Sequence, residues 1–372
     1  MSTTGIIFSN IHDRNVPQLT KGRTMASIPF GCRYRLIDFV LSEMVNAGIT
    51  NVGVITKSKY QTLAKHLGNG KDWDLARKTG GIIILSPYGE ESSGPVYENR
   101  LEALQNSIRF IDSCTDDYII MSDCDIISNI PYDDVIEQHK KSGADITGVY
   151  KYVNPQHTIY RTSSILDVNS EGRITGLTLQ TEISGHKNFG MNVWVFNTPL
   201  LKSLIHESMI YNSKSLARDV IAPNLSKLKV MGYEFKNYAA CLDSLNSYFN
   251  ANMDLLNEDV RRQLFHMENY PVYTRVKDST STRYGENASV KNSIIADGCK
   301  VNGTVENSIL FRGCTVAEGA VIKNSVILQD GVIESGASLN YIIADKRVIV
   351  RGGRNLSGCE GHPFYVEKGQ VL

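Results

Sequence analysis

Between Asn292 and Ile342 the chain repeats itself. Asn292-Ser293-Ile294, Asn307-Ser308-Ile309, Asn324-Ser325-Val326 and Asn340-Tyr341-Ile342 stand 15, 17 and 16 residues apart. Within the repeat, aliphatic residues recur every six positions, as in Ile295/Val301, Leu310/Val316/Ile322 and Ile327/Ile333/Leu339, with Gly and small residues at the corners between them. One inward aliphatic per six-residue unit is the pattern of a parallel β-helix, in which short faces stack and each coil covers the core of its neighbour. With rungs about 4.8 Å apart, roughly four coils give a prism of about 19 Å. A β-sandwich, with turns about every 8–12 residues, has no reason to repeat Asn-Ser-aliphatic in register. A solenoid this short needs caps and a partner domain or subunit.

The remainder must supply that partner domain. At 372 residues the chain is too long for one average domain, and 42% hydrophobic content is ample for two cores. Thirty-nine basic and thirty-nine acidic residues cancel, with no long run of one sign, which argues against a nucleic-acid or anionic-membrane surface. The opening Met1-Ser-Thr-Thr-Gly-Ile-Ile-Phe8 lacks the basic and apolar regions of a signal peptide, and no apolar run approaches ~18 residues. A soluble, cytoplasmic protein is expected. The seven cysteines include no Cys-x-x-Cys pair and lie near no His cluster, which argues against a disulfide framework or a structural zinc site. Cys299 and Cys314, each following a Gly in the coil repeat, are expected to pack along the solenoid.

The first 150 residues alternate strand candidates (Gly5–Phe8, Asn51–Thr56, Gly81–Leu85, Asp117–Met121, Asp145–Tyr150) with helix candidates (Leu36–Ala47, Ser58–Leu67, Glu98–Ile111, Tyr132–Lys141). Each helix candidate falls between two strands, the rhythm of a mostly parallel sheet covered by helices on both faces. Shorter strands follow from Lys151 to Val195. Helices are then predicted at Pro199–Glu207, Leu216–Lys227 and Tyr248–Met267, and a polar link at Lys277–Glu286. Ligands of such sheets bind beyond the carboxyl ends of the strands. Here the loop after the first strand has no Gly between Gly5 and Gly22, so it lacks the residues that let backbone amides wrap a phosphate.

Several stretches carry a resemblance. Leu19-Thr20, Ile28-Pro-Phe-Gly-Cys-Arg-Tyr-Arg-Leu-Ile-Asp-Phe39, Gly190-Met-Asn-Val-Trp-Val-Phe196, Arg218-Asp-Val-Ile-Ala-Pro223 and Ser247-Tyr-Phe-Asn-Ala-Asn-Met-Asp-Leu-Leu256 resemble bacterial ADP-glucose pyrophosphorylase (glucose-1-phosphate adenylyltransferase), as does the coil run from Asn292 to Gly313. The likeness spans nearly the whole chain in the correct order. It implies a Rossmann-like, GT-A-like nucleotidyltransferase α/β domain over 1–250, a helix and linker over 251–285, and a left-handed parallel β-helix over 286–372. It also implies a family activity, the formation of ADP-glucose and pyrophosphate from ATP and glucose 1-phosphate, which rests on positioning and on charge neutralisation by Mg²⁺ and basic side chains.

The same alignment implies that this chain has lost the machinery. Counted back from Leu19, the glycines of the family's Gly-Gly-x-Gly-x-Arg loop fall on Asn10, Ile11 and Asp13, and its arginine on Asn15. The phosphate-neutralising lysine falls on Met25, and Gly-Thr-x-Asp-Ala falls on Asn99-Arg100-Leu101-Glu102-Ala103, which implies a filled adenine pocket. The two Mg²⁺-binding aspartates fall on Cys124 and Cys241. Mg²⁺ wants oxygen ligands, so two thiols are poor substitutes, although Asp123 or Asp125 could restore one carboxylate by a one-residue shift. The sugar-phosphate lysine belongs near Leu179-Gln-Thr-Glu-Ile183, where there is none before Lys187. Each absent charge-stabilising group could cost about 3–4 kcal/mol in the barrier.

In these losses the chain is similar to the GlgD-type branch, divergent relatives that accompany a catalytic GlgC-type chain. The resemblance therefore implies a non-catalytic or very weakly active regulatory subunit within a mixed tetramer, without a cofactor of its own, the Mg²⁺ belonging to the catalytic partner. The alternative is an active adenylyltransferase with a rearranged site. Arg23 and Arg35 match two basic residues of the family's effector site, and guanidinium forks suit a phosphorylated metabolite or another anion. A β-helix acyltransferase would need a catalytic His between coils, and Asn292–Asp345 contains none.

Overall fold

The computed structural model describes residues 2–86, 97–153, 163–180 and 185–372. Nine strands form one mixed sheet: β1 Thr3–Phe8, β2 Asn51–Ile55, β3 Gly81–Leu85, β4 Tyr118–Asp123, β5 Ile146–Val153, β6 Ser163–Val168, β7 Ile174–Gln180, β8 Lys187–Asn197 and β9 Val230–Glu234. The order is β7-β6-β8-β4-β1-β2-β3, with β5 pairing both β8 and β9. Strands β4, β1, β2 and β3 run parallel, while β8 is antiparallel to β4, β5 and β6.

Alternation along the parallel strands divides the interior into two layers. Ile7, Val52, Val54 and Ile120 face one core with α1 (Leu36–Asn46) and α5 (Tyr132–Ser142). Ile6, Phe8, Ile119 and Met121 face the other, with α3 (Arg100–Asn106), α4 (Ile108–Ser113) and α6 (Thr198–Ile210). Among the described residues, the remaining helices of about two turns or more are α2 (Gln61–Leu67), α7 (Leu245–Asp254) and α8 (Glu258–Phe265).

Three helix expectations need correction. The single helix over Glu98–Ile111 is two, broken at Ser107. That over Tyr248–Met267 is also two, because the Asn257 side chain accepts the Asp259 N–H at 2.9 Å and so starts a new helix. Leu216–Lys227 shrinks to a wide π-type segment, Leu216–Ile221, followed by one short turn.

From Arg283 the chain winds into a left-handed parallel β-helix with three faces of five strands each, so there are five rungs rather than roughly four. The Asn-Ser pairs have a physical reason. Asn292, Asn307 and Asn324 turn the corner with φ of 43°, 46° and 45°, a left-handed conformation that Asn tolerates. Their amides stack, Asn292 Nδ2 donating to Asn307 Oδ1 at 2.8 Å and Asn324 Nδ2 to Asn340 Oδ1 at 2.9 Å. Each following Ser accepts a backbone N–H from the next coil: Ser293 from Ser308 at 3.1 Å, Ser308 from Ser325 at 3.1 Å, Ser325 from Ile342 at 3.0 Å. The fourth repeat is displaced by one residue, since Asn340 pairs with Lys323 and the corner is Tyr341, φ 54°. Cys299 and Cys314 are buried along the solenoid core.

One continuous apolar core joins the solenoid to the α/β body. Ile309, Phe311, Val326, Leu328 and Ile343 pack in the same buried cluster as Phe30, Phe249 and Leu255. This seam holds one face of the coils against helix α7 and Phe30.

Candidate functional site

β1 and β4 are neighbouring parallel strands, in register from Thr3↔Tyr118 to Phe8↔Asp123, so the loops leaving Phe8 and Asp123 converge. The loop after β1 carries His12 and a short 3-10 turn, Asp13–Asn15. The turn after β4 carries Cys124 and Asp125. Its backbone is held because Cys241 pairs with Ile126 and the Leu242 N–H donates to the Asp125 carbonyl at 2.7 Å. Helix α3 begins at Arg100, with the Asn99 side chain capping it by accepting the Glu102 N–H at 3.0 Å.

These three elements bring a guanidinium, an imidazole and two carboxylates together. Arg100 Nε donates to Asp123 Oδ1 and Oδ2 at 3.0 and 2.9 Å, and its Nη2 also reaches Asp123 Oδ2. The same Nη2 lies 3.2 Å from His12 Nε2. His12 Nε2 is 2.6 Å from Asp123 Oδ2 and 3.5 Å from Asp125 Oδ2. Asn192, held at φ 58° in β8, donates to Asp125 Oδ2 at 3.2 Å. Burial raises the Asp123 carboxyl, but Arg100 and His12 outweigh it and hold the group below the usual carboxylate range. Burial lowers His12, and the two carboxylates more than reverse this. Asp125, without a guanidinium of its own, is raised by burial.

A second substitution of charge stands a few residues away. Asp13 Oδ1 accepts the Met25 N–H at 2.7 Å, and burial raises its pKa to about 6, although Lys57 and Lys59 lower it. Its carboxylate thus ties the loop after β1 back onto Met25. Tyr97 O–H donates to Asn10 Oδ1 at 2.9 Å in the same loop.

The positions singled out from sequence are distributed as follows. Asn15 ends the 3-10 turn, its N–H donating to the His12 carbonyl at 3.0 Å. Met25 is buried under that loop. Cys124 and Cys241 flank the carboxylates, and burial pushes both thiols far above their ordinary pKa, so they stand as neutral, poor metal donors. The set does not fit Mg²⁺. Asp123 is spanned by a guanidinium, an imidazole faces both carboxylates, and the buried thiols Cys124 and Cys241 beside them offer no oxygen. The stretch from 181 to 183, where the sugar-phosphate lysine was sought, lies outside the described residues.

Arg23 and Arg35 separate. Arg23 is buried and paired with Asp345 of the solenoid, which also accepts the Tyr365 O–H at 2.7 Å, so it bolts the two halves together. Arg35 donates to the Thr62 carbonyl at 2.8 Å and lines a recess with Arg33, Arg275, Lys277, Arg312 and Lys346. Among the described residues no carboxylate lines that recess, although Arg312 Nε donates to Asp297 Oδ1 at 2.9 Å. Burial first, then Arg35 and Arg23, bring Lys346 down to about 7. Sequence reasoning missed Arg275, Lys277, Arg312 and Lys346, which come from the link and the coils. It also missed the pairing of Arg100 with Asp123, for which the only sign was a bulky residue at position 100.

Comparison with known proteins agrees with this architecture. The pattern of the family described as "Nucleotidyl transferase" matches residues 15–258, and that of "GlmU-like, C-terminal hexapeptide" matches 277–358. The chain is 32% identical over 373 residues to "Glycogen biosynthesis protein GlgD" of Bacillus subtilis (strain 168), covering 99% of this chain and 96% of the relative. It is 34% identical over 319 residues to a glucose-1-phosphate adenylyltransferase of Clostridium perfringens (strain 13 / Type A), covering 85% and 80%. A third relative, the glucose-1-phosphate adenylyltransferase of Fervidobacterium nodosum, is 31% identical over 353 residues, covering 94% and 84%. With both family patterns matched in order and relatives 32% and 34% identical over most of their length, the chain belongs to the nucleotidyl transferase family, among the glucose-1-phosphate adenylyltransferases and their GlgD relatives.

Proposed function

We propose that this chain is a catalytically silent, or very weakly active, GlgD-type regulatory subunit. It supports ADP-glucose synthesis from ATP and glucose 1-phosphate for glycogen by pairing, in the cytoplasm, with a catalytic GlgC-type subunit in a heterotetramer. The observation that carries the reading is the Arg100 guanidinium clasped to Asp123 where incoming phosphates and a metal would need room. Asp13 adds to it, a fixed anion on the Met25 N–H. An internal cation and an internal anion repel or displace both partners of a metal–nucleotide complex, and thiols at 124 and 241 offer Mg²⁺ no oxygen. The chain therefore has no catalytic cofactor of its own, and Mg²⁺ belongs to the partner.

The retained body would act through contacts and through the basic recess at the seam, where Arg35 and its neighbours suit a phosphorylated metabolite or another multivalent anion. The test is adenylyl transfer with Mg²⁺, by the purified chain alone and after co-purification with a catalytic subunit. The expected result is no sustained turnover alone, together with a changed rate or effector response in the complex. Sustained turnover by the lone chain refutes the reading, and so does a catalytic subunit that neither binds it nor responds to it.

A further inference from the structure

The arrangement at the strand ends does more than obstruct. His12 Nε2 and one oxygen each from Asp123 and Asp125 lie within 4.8 Å of one another, and Asp125 is steadied by Asn192 at 3.2 Å. Three donors pointing at one spot, one of them an imidazole, are a mixed N/O set. In the ungapped alignment the family's metal carboxylates fall instead on Cys124 and Cys241, and Asp123 or Asp125 takes one of those places only by a one-residue shift.

We propose that His12, Asp123 and Asp125 form a site for a borderline divalent transition-metal ion, Zn²⁺ or Mn²⁺, and that the Arg100 guanidinium is its built-in competitor.

Three observations support this. The first is charge. Asp123 and Asp125 both face His12 Nε2, so a dication that displaces the Arg100 guanidinium and any proton on the imidazole leaves the two carboxylates balanced. The second is that the spot already holds a cation, with Arg100 Nη2 3.2 Å from His12 Nε2 and its Nε 2.9 Å from Asp123 Oδ2. The third is access. The Arg100 and His12 side chains are each 22% exposed while Asp123 is 1% exposed, so an ion has a route from solvent once the guanidinium swings aside. Imidazole beside carboxylates selects borderline ions over Mg²⁺, which prefers oxygen and keeps its waters. The inference rests on the silent-site reading, since such an ion is held as a ligand rather than used in turnover.

The experiment is calorimetric titration of the full chain with Zn²⁺, Mn²⁺ and Mg²⁺ on a Cys359→Ser background, because exposed Cys359 beside His362 offers a competing surface donor pair. Arg100→Ala is expected to bind one Zn²⁺ at least tenfold more tightly than the parent, with no comparable gain for Mg²⁺. Adding His12→Ala should abolish the gain. Arg100→Gln serves as the second variant should the alanine protein fail to fold. The Co²⁺-loaded variant should lack a thiolate charge-transfer band, which a site built on Cys124 or Cys241 would show. No gain in either Arg100 variant, a gain that survives His12→Ala, or a thiolate band overturns the proposal. Turnover by the lone chain is measured separately, so failure of the silent-subunit reading is not confused with failure of the metal site.

Discussion

Arg23 tests the assignment of charge at the seam. The family resemblance alone implies an effector role for it. In the structure it is buried, with one nitrogen on Asp345 and its Nη1 without a hydrogen-bond partner among the described residues. Arg23→Met removes the cation and leaves Asp345 buried. Stranding one member of a buried ion pair costs about 3–5 kcal/mol. Asp345 keeps the Tyr365 O–H at 2.7 Å and the Lys346 N–H at 2.6 Å, which places the expected loss at the lower end, about 3 kcal/mol. Arg23→Met/Asp345→Asn removes the stranded charge too and should return to within about 1 kcal/mol of the parent. Urea unfolding followed by tryptophan fluorescence reports it, because Trp73 and Trp194 are both buried in the α/β body. The reasoning is wrong if Arg23→Met costs under about 1 kcal/mol while abolishing anion binding, which is the signature of a ligand residue rather than a bolt.

Two further predictions concern pH. Glu43 is fully buried, accepts from the Ile130 N–H at 2.8 Å and the Ser128 O–H at 3.0 Å, and is pushed up by burial to about 8. Its folded pKa exceeds the unfolded value, so its contribution is complete below about pH 4.3 and is lost as pH rises through 8. Glu43→Gln should therefore gain on the parent by roughly 1.4 kcal/mol per pH unit between pH 5 and 8 in urea unfolding, and parallel curves would rule this out. Lys346, brought down to about 7, loses its charge near neutrality, so sulfate binding at the basic recess should weaken by about tenfold from pH 6 to pH 8. In Lys346→Met that slope should flatten, and an unchanged slope would assign the titration elsewhere.

What could be read from the chain in advance follows from the range of each interaction. The solenoid was legible because its period is local: the corner at Asn307 and the acceptor at Ser308 are adjacent residues, and their partners lie one coil away. The parallel strands were legible for the same reason, each being a short apolar run between turns. The Tyr248–Met267 helix was misread because a single side chain, Asn257, restarts it. Arg100 and Asp123 are 23 residues apart on different elements, and Arg23 and Asp345 are 322 apart, so neither pairing leaves a mark in any window of sequence. The sequence could show that the loop after β1 has no glycine between Gly5 and Gly22. It could not show that Asp13 had turned inward onto Met25.

The shared core between solenoid and α/β body limits how this protein can change. Phe249 of α7 meets Tyr341 of the coils at 6.3 Å between ring centroids, and Phe311 and Leu328 lie in the same cluster as Phe30. Neither half can be exchanged for that of a distant cousin without recutting the other to match. Drift in the coils is constrained by drift in helix α7, and a graft taken from a relative should be chosen by how well those two surfaces were selected together.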